Sequence, residues 1–396
     1  MRNLATTIGL EGPEELEQLA FKKINEGKIK DGLKLILRAA RGYEKEERKE
    51  DAARLYKYLG FVLREKAGLI EKARPFLLKS AYLYIDLIEE EITRLEVDID
   101  TLDGYCSNVL EIFLTLKDER NLRKYAEEFA AIYEDLGKSY QDNDDISMAI
   151  RAYESAYRYY EITDDIESYK RIAETLIALY GQAAEERLKK GDSRGAAEAF
   201  YKLASFIRAI FGYDIHFIEM MDTAGKNFEK ASKVAYSNGD LDETTTCLVK
   251  AQYAYLLAKN YNRSKLIGIN TIRMLYQIIS SHRSRGDDEK AAEKLVELAE
   301  ALIGVRKIEE AMQAYKSALE IKSDLCFRVK IRLAILKQFA ASKGDENILE
   351  EVEKVEYYAS KKNYMKALEL AENTLQKMSE LEEIRNMLYE AEGIYQ

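Results

Sequence analysis

The sequence predicts an all-α protein, a right-handed α-solenoid of antiparallel helical hairpins, and three observations lead there. Proline occurs only twice in 396 residues, as Pro13 and Pro75. Proline is what usually breaks helices and marks edge strands, so its near absence lets helix follow helix. Charged residues make up 33% of the chain, mixed in sign and set among abundant Ala and Leu. That is the composition of exposed helix faces. The third observation is a packing frame that returns at a fixed period. No strand-like alternation bounded by Asn-Gly or Asp-Gly turns accompanies it.

Helix ends come first. The dipeptide Gly-Asp occurs at Gly191-Asp192, Gly239-Asp240, Gly286-Asp287 and Gly344-Asp345. Glycine takes the left-handed conformation that closes a helix, and the aspartate then accepts the free amides of the next. Each pair reads as a hairpin tip, and the first three glycines stand 48 and 47 residues apart. Asp240 with Glu243, and Asp164 with Glu167, have the spacing of capping boxes.

The helices after the tips share a frame of a small residue, a bulky one four later, and a small or apolar one three beyond. In chain order it reads Gly32, Ile36, Ala39; Ala73, Leu77, Ser80; Ala149, Tyr153, Ala156; and Ala196, Phe200, Leu203. It continues as Thr244, Leu248, Ala251; Ala291, Leu295, Leu298; Ala311, Tyr315, Ala318; and Ala367, Ala371, Thr374. An apolar residue usually precedes the frame by three: Ile29, Ile70, Ile146, Leu241, Ile308 and Tyr364. Such offsets put these residues on one helix face, where a small side chain lets the neighbouring helix approach. A lone amphipathic hairpin cannot bury that stripe, so hairpins stack.

Positions 149, 196, 244 and 291 are spaced 47, 48 and 47. That length holds two helices of about 20 residues and their turns, or about seven or eight hairpins in all. The period fails at Ala311, which follows Ala291 by 20 residues. We therefore expect a stack of hairpins over 1–305, and C-terminal hairpins or a capping bundle over 306–396, continuous with it.

The small-x3-aromatic-x2-small pattern behind a tight tip resembles the second helix of tetratricopeptide repeats, which run about 34 residues. Longer helices in the same pattern resemble the soluble NSF attachment proteins, the SNAP family. The stretch 145–160 carries the likeness through Ala149-Ile150, Tyr153-Glu154, Ala156 and Tyr159-Tyr160. Ala131-Ile132-Tyr133-Glu134 before it, and Ala196-Ala197-Glu198-Ala199-Phe200-Tyr201 after it, match in kind. The resemblance spans 124–210 and extends to 28–90. It implies a helical-repeat fold, and a role adapting helical SNARE bundles to a hexameric ATPase. No functional residue of that family is carried over.

The net charge of −10 speaks against general nucleic-acid binding, which needs clustered Lys and Arg. Cys106, Cys247 and Cys326 lie far apart with no CxxC spacing. With a charged N-terminus and no apolar leader, they lead us to expect a cytoplasmic protein. No stretch reaches the ~18 apolar residues of a membrane span.

Motifs for chemistry are incomplete. Gly137-Lys138-Ser139 ends like a phosphate loop, yet Ile132 stands where its first glycine is needed. His216 and Glu219 form half of a carboxylate–histidine pair, with no second half. His282 reads as a solvated or satisfied histidine at an exposed helix end. Asn238, Asp240 and Asp242 alternate like a calcium loop, but Glu243 and Val249 occupy its obligatory Gly and Glu positions. The chain is therefore expected to be no enzyme, with no catalytic residue, metal or cofactor.

Tyrosine is enriched at 28 residues, with no tryptophan. It serves helix packing and partner surfaces alike, having an apolar body and a polar tip. Phe211, Tyr213 and Phe217, in the most apolar window, and the pair Tyr357-Tyr358 are the candidate partner contacts. The expected function is a protein-interaction scaffold gripping a helix or peptide on its concave surface. A SNAP-like adaptor recruiting an ATPase, or a sensor holding a small ligand or peptide in its groove, are the alternatives. Homo-oligomerisation is left open.

Overall fold

The computed structural model describes residues 12–67, 70–343, 345–360, 363–378, 385 and 388. Among them seventeen α-helices follow one another and no strand occurs. Contacts divide the chain into two compact units, ending at Ile172 and beginning at Ala173. The first holds α1 (Pro13–Asn25), α2 (Ile29–Lys45), α3 (Lys49–Ala67), α4 (Ile70–Ile92), α5 (Ile99–Thr115), α6 (Glu119–Asp142) and α7 (Ile146–Thr163). Helix α8 (Ile166–Lys189) carries the boundary. The second unit holds α9 (Ser193–Phe211), α10 (Ile215–Ser237), α11 (Leu241–Leu257), α12 (Tyr261–Arg285) and α13 (Asp288–Gly304). It ends with α14 (Ile308–Ile321), α15 (Leu325–Lys343), α16 (Glu346–Ser360) and α17 (Tyr364–Lys377).

One local device builds most of the tips. At Gly191-Asp192 the Gly191 N–H donates to the Leu188 carbonyl at 3.0 Å, and the Asp192 N–H to the Arg187 carbonyl at 2.9 Å. Asp192 Oδ1 then accepts the Gly195 N–H at 2.8 Å. The glycine closes one helix in the left-handed conformation and the aspartate opens the next. Gly239 and Gly286 share the positive φ, while Gly344 lies outside the described residues. The left-handed position is also taken by Glu47, Lys117, Asp144, Asp164, Lys259 and Arg306.

The expected capping box at Asp164 is corrected by one residue. Asp164 has φ of 59° and ends α7, so Asp165 is the cap and accepts the Ser168 N–H at 3.1 Å. Asp240 does cap α11 through the Glu243 N–H at 2.9 Å, while the Glu243 carboxylate turns away to Arg194 at 2.7 Å.

The packing frame lies where its spacing places it. In all eight copies the first and third positions are buried, and the bulky one is buried except at the half-buried Phe200 and Leu248. Ile29, Ile70, Ile146, Leu241, Ile308 and Tyr364 are each the first residue of a helix. Two bulky residues rest on a glycine of the preceding helix. A Cβ on Gly137 of α6 would come within 2.9 Å of the Tyr153 ring, and one on Gly60 of α3 within 2.5 Å of Leu77. In each unit, then, stacked antiparallel hairpins bury a tetratricopeptide-like small–bulky–small stripe.

The regular alternation of neighbours changes late in the second unit. Helix α15 packs along α13 and α11 as well as against α16 and α17. Leu302, Tyr315, Ile331, Ile335, Val355 and Ala371 belong to one continuous core there. Arg332, fully buried, pairs with Glu372 and ties α15 to α17. None of the described helices is long and apolar enough to cross a membrane.

Candidate functional site

The frame residues use one face of α9, α11 and α13. A second row on the same helices turns polar and meets the α15–α16 arm. On α9 this row carries Glu198, Tyr201 and Arg208, spaced three and seven, and on α11 Lys250 and Tyr253, spaced three. Glu297 and Glu300 continue it on α13, Lys330 and Lys337 on α15, and Glu353 and Glu356 on α16.

Charge and aromatic contacts knit this seam between helices. Arg208, buried on α9, donates to Glu353 Oε1 at 2.6 Å across 145 residues of sequence. Lys337 pairs with Glu356 beside it. Lys250 Nζ reaches Glu198 Oε1 at 3.0 Å. The Tyr201 and Tyr253 rings tilt together with centroids 6.3 Å apart, and Glu356 faces both. Burial, and then the neighbouring Tyr201, hold the Tyr253 hydroxyl well above its ordinary pKa, so it stays a neutral donor. Burial, the largest single effect, would lower the Lys337 pKa, but Glu356 and its other negative neighbours, Glu300 among them, together outweigh it and keep the ammonium charged. Burial also pushes the Glu300 carboxyl up to about 7, against the pull of Lys337.

Deeper between α11 and α13, Lys294 Nζ donates to the Asp242 carbonyl at 2.7 Å and to both Glu297 oxygens at 3.0 Å. The Thr246 hydroxyl reaches Glu297 at 2.8 Å. His282 joins this layer as a satisfied histidine, and only the exposed helix end expected for it is corrected. It is buried, with Nε2 2.9 Å from Asp242 Oδ1. The layer saturates its own charges and serves as polar cement between repeats.

The other sequence candidates scatter. Phe211 ends α9 and is 59% exposed, whereas Phe217 is buried. Tyr213 lies between them: its hydroxyl donates to the Leu257 carbonyl, its ring packs on Phe217, and Lys259 sits 4.6 Å from its centroid. Tyr358 packs against the C-terminal core, and the Tyr357 side chain lies outside the described residues. His216 and Glu219 are exposed at the start of α10. Gly137-Lys138-Ser139 lies inside α6, where Lys138 pairs with Glu134 at 2.9 Å. Burial first, and then Glu243, push the Cys247 thiol up to about 12, far from a reactive thiolate.

Sequence reading missed this seam because its rows are ordinary charged helix positions. No local signal pairs Arg208 with a glutamate 145 residues away. The three- and seven-residue steps could have placed each row on a face, but not told which face meets another helix.

No protein-family model matches the chain, and no curated protein matches it. Solved structures do. A circular tandem repeat protein with novel repeat topology is 15% identical over 92% of this chain and 97% of its own, with a TM-score of 0.29. A Rap protein complexed with competence and sporulation factor is 13% identical, covering 86% and 99%, with a TM-score of 0.27. Yeast Tom70 is 12% identical, covering 96% and 95%, with a TM-score of 0.21. Likenesses this distant carry no argument here, and the fold rests on the helices themselves.

Proposed function

We propose that this chain is a non-catalytic protein-interaction scaffold, whose groove formed by α9, α11, α13 and α15 holds a helix or peptide. The observation that carries the reading is the contact of α16 with Arg208 and Lys337. Helix α16 already sets one carboxylate on Arg208 of α9 and another on Lys337 of α15, so these cations have the donors to hold an acidic helix. Half-buried Tyr201, packed on the buried Tyr253, adds the aromatic area that partner sites favour. Phe211, exposed at the end of α9, fits as an edge contact. The three unpaired cysteines support a reducing, cytoplasmic setting.

The test is site-specific photocrosslinking in the native cell. A photoreactive phenylalanine at Lys202 or Phe211 of the full chain should capture one recurring protein partner. The same group at Lys45, on α2 in the first unit, should not. Equal capture from both places, or none from the groove, would remove this reading.

A further inference from the structure

Helix α16 presents two ridges. Leu349, Val352 and Val355 are buried, and the latter two belong to the C-terminal core. The adjoining ridge carries Glu350, Glu353 and Glu356 at three-residue steps, so three carboxylates lie in one row. Two of them meet cations built into other helices, Glu353 on Arg208 and Glu356 on Lys337.

The two sides of this contact differ. The Arg208 side chain is 7% exposed, and Glu353 is 46% exposed. The guanidinium is buried between the helices, while its partner stands at the solvent edge. A buried guanidinium without a counter-charge is strongly unfavourable, so α16 can leave only if another carboxylate arrives. The chemistry of an incoming helix is thereby restricted. It must bring acids at the spacing that Glu353 and Glu356 supply.

We propose that the groove selects helices bearing a row of carboxylates at three-residue steps, and that α16 is the in-chain occupant such a partner displaces. This rests on the reading of the groove as the partner site. Wall and occupant are complementary in charge, and the wall cation is buried where its carboxylate partner is exposed. A chain bound to itself in this way has its affinity for partners reduced by the fraction of time the groove is free.

The probe is a fluorescein-labelled synthetic peptide of residues 346–360, titrated against the full chain. The native chain should bind it weakly. The double variant Glu353→Lys/Glu356→Lys, whose own α16 no longer fits, should bind it at least about tenfold more tightly. Adding Arg208→Glu should abolish that gain. Hydrogen exchange supplies the second readout: α16 amides should exchange about 10- to 100-fold faster in Glu353→Lys. The charge swap Arg208→Glu/Glu353→Arg should restore their protection, which separates loss of the pair from loss of the fold. Equal peptide affinity in native and double-variant chains, or unchanged exchange in α16, overturns the proposal. Photocrosslinked capture of a cell partner that ignores the α16 charges also overturns it and leaves the scaffold reading standing. Peptide exchange through the groove, with no cell partner captured there, overturns the scaffold reading and with it the selection of partners.

Discussion

Tyr153 shows how one side chain reports the fold. It sits at the bulky position of the frame, buried, with its ring on the bare backbone of Gly137. Tyr153→Ala should cost about 3–5 kcal/mol, as large aromatic truncations do. Gly137→Ala pits two effects against each other: a gain of about 1 kcal/mol in helix propensity and a ring pushed from its place at about 1–3. Overpacking should win, so both variants lower the urea midpoint, Tyr153→Ala more. Ala196→Leu, at a fully buried small position, should cost about 1–3 kcal/mol by the same overpacking. A neutral result for both Tyr153→Ala and Ala196→Leu would mean that the frame does not face the helix interface. These residues were legible in the sequence because packing imposes a period. Glu134 was not. It is held by Arg171 at 2.5 and 2.9 Å, by Lys138 and by Tyr160, contacts that join three separate stretches of chain.

At the scale of elements, the tips were legible only where glycine marked them. Gly191, Gly239 and Gly286 announce the left-handed position, but Glu47, Lys117, Asp144, Lys259 and Arg306 occupy it with side chains that do not. A non-glycine residue there costs roughly 1–2 kcal/mol, partly offset by the greater unfolded-chain freedom of glycine. Arg306→Gly and Lys117→Gly should therefore stabilise by about 0.5–1 kcal/mol, and Gly239→Ala should destabilise by about the same. Chemical denaturation of the three variants side by side checks the sign. Removing a cap acts through a different contact: Asp240→Ala frees the Glu243 amide and should cost about 1 kcal/mol. The broken period at Ala311 falls in α14, which still packs on α13 as its neighbour, and the alternation changes only at α15. The return of α15 to α11 had no sequence signal, because helix spacing says nothing about which distant helix will be the neighbour.

For the whole molecule, the consequence that can be read is a stability profile with two opposed limbs, one from each unit. The Arg171 hydrogen bond, outweighing the effect of burial, draws the Glu134 carboxyl down to about 2. An unfolded glutamate titrates near about 4.3. Between these values the unfolded chain binds the extra proton, so Glu134 contributes stability above pH 4.3 that is lost as pH falls toward 2. Glu300 works the other way. Burial holds it at about 7, with Glu297 adding to the shift and Lys337, Lys330 and Lys250 opposing it, while the Tyr315 hydroxyl stays neutral nearby. From about 4.3 to about 7 the folded state keeps a proton the unfolded state has released, so this contribution is full at low pH and lost as pH rises. Seventy-one acids titrate in the background, so the quantity to read is the difference between each variant and the native chain. Glu300→Gln should stabilise α13 increasingly from pH 5 to above 7 and leave the limb below pH 4 unchanged. Glu134→Gln should lose the charge-assisted bonds, about 1.5–3 kcal/mol, above pH 4.3 and converge on the native chain near pH 2. Hydrogen exchange at α6 and α13 separates the two units where a single melting curve would blend them. If the Glu300→Gln difference stays flat across pH 5–7, that carboxyl is charged in the folded groove. The acids of α13 would then belong to an open, hydrated surface instead of a desolvated wall.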